Sequence, residues 1–160
     1  MTEVLNRHRL PTRPVVGLTI CYSYLWHREY GDLQREEGLK YRPCVIVLSH
    51  EAIKGLPGRF VADVVPVSHS RQYDPDAVEI PLPVKRRMGL DMDHSWIITT
   101  GINRFIWPGP DLHPARHSDN PAETEWHWGV MATDVFRRAK EKILARRAAR
   151  SLLIAPRSGK

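Results

Sequence analysis

No apolar run in this chain approaches the ~18 residues that a membrane-spanning helix needs. The first fourteen residues carry charges and two prolines and lack the apolar core of a secretory leader. A soluble, cytoplasmic protein is the expectation. Cysteine is scarce: Cys21 and Cys44 are the only two. Both fall in segments that read as strands, where reduced thiols behave as small hydrophobes, and nothing in their placement demands a disulfide. Zinc-type pairs such as Cys-x-x-Cys and His-Glu-x-x-His are missing, although there are eight histidines. His113 and His117 stand four apart, but Pro114 and a loop-like setting argue against helical ligand geometry. The chain also lacks a Gly-rich phosphate loop and a Gly-x-Ser-x-Gly elbow. Neither a metal nor a nucleotide cofactor is therefore expected. There is no internal repeat and no low-complexity tract.

What is present is 160 residues, the size of one domain with a real core, and a net charge of +6 that is unevenly placed. From Arg137 to Lys160 nine Lys or Arg face the single Glu141, which leaves the first 136 residues with 15 basic and 17 acidic side chains. The basic balance belongs to the C-terminal end. Such an end attracts polyanions through phosphate contacts, but it is equally what a solvated helix face with a loose tail looks like.

Hydrophobic patterning predicts a mostly-β domain with a helical end. Residues 17–26 alternate Leu18, Ile20, Tyr22 and Tyr24 against Thr19, Cys21 and Ser23 and read as a strand. A charged loop follows over 27–41, longer than a hairpin uses and so of the kind that carries function. Cys44-Val45-Ile46-Val47-Leu48 is apolar throughout, the composition of a strand covered on both faces, and Pro43 is expected at its first residue. Residues 60–67 form a third strand and 77–81 a short fourth. Pro83 to Gly89 reads as one helical turn, and 95–107 as a bent strand or two short ones with a bulge at Gly101. Residues 108–125 read as irregular loop. A helix capped by Thr133 or Asp134 is predicted from Val135 to about Leu153, with Phe136, Ala139 and Ile143 on its apolar stripe. Short strands separated by Gly/Pro turns point to a small barrel.

Two strand ends gather the chemistry. Lys40-Tyr41-Arg42-Pro43 leads into the apolar strand, so Arg42 sits where a loop meets a rigid element. Taken alone it would be an ordinary surface ion pair. The next strand closes in Ser68-His69-Ser70-Arg71, adding hydroxyl, imidazole and guanidinium at a second strand end.

This ordered series, Gly17-Leu18-Thr19-Ile20, the acidic loop up to Glu37, Arg42-Pro43, the Ser68 strand end, Asp76 to Pro81, Ser95 to Thr100 and Gly129-Val130-Met131, resembles the MazF/PemK family of toxin endoribonucleases from about Gly17 to Leu144. Trp107-Pro108-Gly109-Pro110-Asp111 resembles a subgroup with a long first loop. The resemblance implies an SH3-like barrel with a C-terminal helix, divided here into an N-terminal extension (1–16), a barrel domain (17–145) and a basic tail (146–160). It also implies metal-free cleavage of single-stranded RNA, a homodimer and a cognate antitoxin. A non-catalytic barrel that binds nucleic acid or poisons DNA gyrase is the alternative on the same fold.

Metal-free RNA cleavage uses the substrate's own 2′-hydroxyl as nucleophile. Arg42 suits the charge that gathers on phosphorus, since a guanidinium fork matches phosphate oxygens. Arginine is a poor general base at neutral pH, which makes His69 the candidate for proton transfer; otherwise it is a surface histidine. Ser68 stands where the family has threonine and offers the same hydroxyl. Ser68 and His69 share a site only if the strand ends or twists between them. Glu37 has the spacing of the family's loop glutamate, with Glu36 chemically equivalent. Lys40, Arg71 and Arg104 are candidate phosphate contacts, and Trp26 and Tyr30 candidate stacking platforms.

Overall fold

The structure, a computed structural model, describes residues 5–26, 40–53 and 56–157. Among these residues nine strands and two α-helices follow in chain order: β1 Leu18–Ser23, β2 Tyr41–Ile53, β3 Leu56–Ser68, β4 Val78–Glu79, α1 Leu82–Met88, β5 Trp96–Ile97, β6 Gly101–Ile106, β7 Leu112–His113, β8 His127–Val130, α2 Thr133–Ala148 and β9 Leu153–Pro156. The mostly antiparallel sheet curls on itself, with β2 and β3 as its longest pair and a helix near the C-terminal end. Among the described residues no helix is long and apolar enough to cross a membrane.

Both faces of the central strands are buried, as the uninterrupted apolar run of β2 requires. Cys44 and Ile46 point into one cluster with Leu18, Ile20, Tyr22, Val64 and Phe105. Val45 and Val47 point into the other with Val65, Val67, Ile97, Ile102 and the apolar stripe of α2, Val135, Ala139 and Ile143. Tyr22 and Phe105 stack at 4.5 Å between ring centroids inside the first cluster. Both cysteines are free, and burial pushes the Cys21 thiol up to about 11.

Several boundaries differ from the sequence expectation for identifiable reasons. Strand β2 begins at Tyr41, so Pro43 lies inside it, opposite Cys21. Residues 50–53 and 56–59, expected as part of a connection, belong to the paired strands β2 and β3. Helix α1 forms as expected, with proline in its first turn and Gly89 at φ +84° closing it. Strands β7 and β8 arise in segments with too few residues to show a period, and both pair with β1.

The largest correction is at the C-terminus. Helix α2 stops at Ala148 and has no side-chain cap at its start. Arg150, at φ +58°, turns the chain, with Ser151 and Leu152 amides donating back to the Arg146 carbonyl. Residues 153–156 then run parallel to β6 as β9, where the sequence reading had the helix continuing and a basic tail trailing. Arg157 is buried beyond it, donating to the Ser23 carbonyl (2.7 Å) and Asn103 Oδ1 (3.0 Å) and pairing with Asp111 (3.2 Å). Arg146 likewise turns inward to Asp74 (2.9 Å) and Asp76 (3.1 Å). Part of the basic charge read as a polyanion tail is thus spent inside the fold. The N-terminal segment is also packed on the body: Leu5, Leu10 and Val15 pack against the first core cluster, and Trp107 donates its indole N–H to the Pro11 carbonyl.

Candidate functional site

The cleft of interest opens where β2 begins and β3 ends. Because Cys44 pairs with Pro66 in the antiparallel ladder, Arg42 stands level with Ser68 two residues further on. At this point the strands lose their ladder and leave a cleft of about 370 Å³. Lys40, Tyr41, Arg42 and Pro43 line one side, and Val67, Ser68 and His69 the other. Its floor is built from Lys85 of α1 and from Leu90, Asp91 and Ser95 of the loop that follows.

Arg42 is half-buried, with its guanidinium 4.9 Å from the Trp26 ring centroid. That contact holds the head group without neutralising it. Its buried Nε has no hydrogen-bond partner, and no carboxylate pairs with it among the described residues. Buried donors normally find acceptors, so this one stands out among the described residues. Trp26 itself packs edge-on against Tyr24 (5.1 Å) and leans on the core.

The Ser68 hydroxyl is buried and accepts from the Ser70 amide (3.2 Å) and from Gln72 Nε2 (3.3 Å). Both bonds use its lone pairs, which leaves its hydrogen as the unspent donor. Strand β3 ends at Ser68 and the chain bends at His69. The break expected from the polar run is therefore present, and both side chains reach one cleft. His69 Nε2 lies 3.0 Å from Asp91 Oδ2. Lys40 is exposed at the cleft's mouth, and Tyr41, also exposed, stacks on His113 at 4.3 Å.

The remaining candidates fall elsewhere. Arg71 donates to the Pro75 carbonyl (2.8 Å) and does not line the cleft. Arg104 makes a two-pronged pair with the fully buried Asp63, Nε to Oδ1 at 2.8 Å and Nη2 to Oδ2 at 3.0 Å. The hydrogen bonds it donates to Asp63 push that guanidinium up from its ordinary value despite partial burial. It is a structural cation rather than a free one. Glu37, Glu36 and Tyr30 lie outside the described residues.

Sequence reasoning missed Lys85, Asp91 and Ser95. Lys85 reads as one more charge on a basic helical turn, and nothing local reveals that the fold buries it. Its ammonium donates to Asp91 Oδ1 (2.9 Å), Ser95 Oγ (2.5 Å) and the Asp93 carbonyl. His69, Asp91 and Asp93 also bring three potential metal-ligand atoms within 4.8 Å of one another. A cation there would face the ammonium that already occupies Asp91 Oδ1, so the carboxylate's natural partner is Lys85.

No family model matches the chain, and neither does any curated protein. Among solved structures, the MazE-MazF crystal structure (Form-II) from Deinococcus radiodurans contains a chain similar to this one. The alignment covers 83% of this chain and 93% of that one, at 14% identity and a TM-score of 0.46. A likeness of that size leaves the functional argument to the cleft itself.

Proposed function

We propose that this chain is an endoribonuclease of the MazF/PemK kind, cleaving single-stranded RNA by attack of the internal 2′-hydroxyl. The observation that carries the reading is the convergence of Arg42, paired with no carboxylate among the described residues, and Ser68, with its unspent hydrogen, at two facing strand ends that line one cleft. A phosphodiester seated between them would receive donors on its non-bridging oxygens, where negative charge grows as phosphorus becomes five-coordinate. His69, on the same rim, takes the 2′-proton. The 2′-oxygen bonds to phosphorus, the bond to the 5′-oxygen breaks, and that oxygen is protonated from solvent in the open cleft. The products are a 2′,3′-cyclic phosphate and a 5′-hydroxyl.

Lys40 at the mouth suits the neighbouring phosphate, and Tyr41 and Trp26 flank Arg42 as surfaces for splayed bases. A single-stranded substrate fits this reading, because stacking on protein rings requires bases already out of a duplex. The family resemblance adds a homodimer and a cognate antitoxin as proposed partners.

The test is incubation of the purified protein with a long unstructured RNA in EDTA, followed by mapping of cut sites and end groups. Cuts at a recurring short motif, ending in cyclic phosphate, are expected. Intact RNA across the pH range would leave the cleft a binding site only.

A further inference from the structure

Lys85 is 1% exposed, and an ammonium taken out of water costs several kcal/mol unless its protons are satisfied. Here all three protons have acceptors, in Asp91, Ser95 and the Asp93 carbonyl. The arrangement locks one face of Asp91: Oδ1 accepts from Lys85 and from the Asp93 amide (3.1 Å). The other oxygen, Oδ2, meets His69 Nε2 at 3.0 Å. Burial alone would raise the Asp91 carboxyl. The hydrogen bonds from Lys85, His69 and the Asp93 amide, with the charge of Lys85, outweigh it and hold the group below its ordinary value. Asp91 is thus a carboxylate, which only accepts hydrogen bonds, so Nε2 of His69 must be the donor. In a neutral imidazole the other nitrogen, Nδ1, is then the base.

The charged groups around His69 are few and come from three elements. Among the described residues, Asp91 and Asp93 belong to the loop after α1, Lys85 stands behind Asp91, and across the cleft lie Arg42 on β2 and Lys40 just before it. The two cations across the cleft do not contact Asp91 among the described residues.

We propose that Lys85 and Asp91 form a positioning clamp that holds His69 with its proton on Nε2, so that Nδ1 is the nitrogen that takes the substrate's 2′-proton. The final clause rests on the nuclease reading; the clamp does not. When Nδ1 accepts the proton, the imidazolium gains a carboxylate at hydrogen-bond distance, which offsets its new charge. The 2′-oxygen meanwhile bonds to phosphorus, and the electron pair of the breaking bond departs with the 5′-oxygen, protonated by water. Lys85 and Asp91 touch neither substrate nor reacting atoms.

Two measurements on the full chain separate the clamp from the nuclease reading. Ring-nitrogen NMR of 15N-histidine protein should show neutral His69 with a protonated Nε2 whose proton resonance is visible, and Asp91→Ala should lose that resonance. Asp91→Ala takes one of three acceptors from the buried Lys85 ammonium, so its folding is verified by circular dichroism, and Asp91→Asn, which keeps an oxygen for Lys85 but no carboxylate for His69, is measured beside it. In the cleavage assay Asp91→Ala should lower kcat with KM little changed, by less than His69→Gln does. The double variant should cleave no more slowly than His69→Gln alone, because Asp91 acts only through that ring. An unprotonated Nε2 in the wild type, a resonance unaffected by Asp91→Ala, or additive losses in the double variant would each overturn the clamp. If the wild type cleaves no RNA, the nuclease reading fails and the NMR result decides the clamp alone.

Discussion

Arg42 and Arg104 are both arginines on strands of one sheet, and their surroundings give them different work. Arg104 faces Asp63, a carboxylate with no solvent exposure of its own, across a β3–β6 pair. Removing one partner of a buried pair leaves the other charge stranded, which costs ~3–5 kcal/mol. The Arg104 side chain is itself 40% exposed, so Arg104→Ala should fall at the lower end of that range. Urea unfolding measures it directly. A lowered midpoint with unchanged RNA affinity per folded molecule is the expected result, whereas a variant as stable as wild type would return Arg104 to the phosphate-binding candidates. The sequence could not separate these arginines, because the distinction lies in the residue opposite. The Asp63 partnership needs the β3–β6 register, which no local pattern carries.

Among elements, β8 and β9 are each tied down by one buried polar side chain. His127 of β8 accepts the Gly129 amide at Nδ1 (3.0 Å) and so donates from Nε2 to the Asn6 carbonyl (3.1 Å), which fastens the N-terminal segment. Burial lowers its proton affinity; Arg7 adds to this, against the opposing pull of the Asn6 bond and Glu125. A folded-state value below the unfolded one gives stability that is full above the unfolded imidazole value, about 6.5, and is lost as pH falls through the folded value. The urea midpoint should therefore drop between pH 7 and pH 5. His127→Gln keeps a donor and an acceptor and should flatten that drop; an equal drop in the variant would assign it to other groups. Just past β9, Arg157→Ala would remove the buried cation that pairs with Asp111 and donates to Asn103. A loss of about 3–5 kcal/mol is expected for a pair this buried. A loss under 1 kcal/mol would mean that β9 docks without its anchor. Elements of strong period, β1 to β3 and the first half of α2, were legible in the sequence. β7, β8 and β9 were not, since their pairing is decided by neighbours far along the chain. Parallel pairing of Leu153–Pro156 with β6 has no local signature at all.

At the scale of the whole molecule, the ordered series of short motifs was enough to anticipate a curled β sheet with a C-terminal helix and to bring Arg42, Ser68 and His69 to one place. The buried lysine and its carboxylate escaped notice because burial is a property of the assembled fold. What the molecule presents at that place is an open cleft with a cation that is held by an aromatic ring and paired with no carboxylate among the described residues. Removing a donor aimed at transition-state charge typically costs ~100–1000-fold in rate. The most direct test is therefore single-turnover cleavage of one long unstructured RNA by wild type and Arg42→Ala, in EDTA, with folding of both verified by circular dichroism. Site-specific cuts ending in cyclic phosphate, slowed at least ~100-fold in the variant, are the predicted result. Equal cleavage by the two folded proteins, or none by the wild type, would contradict it.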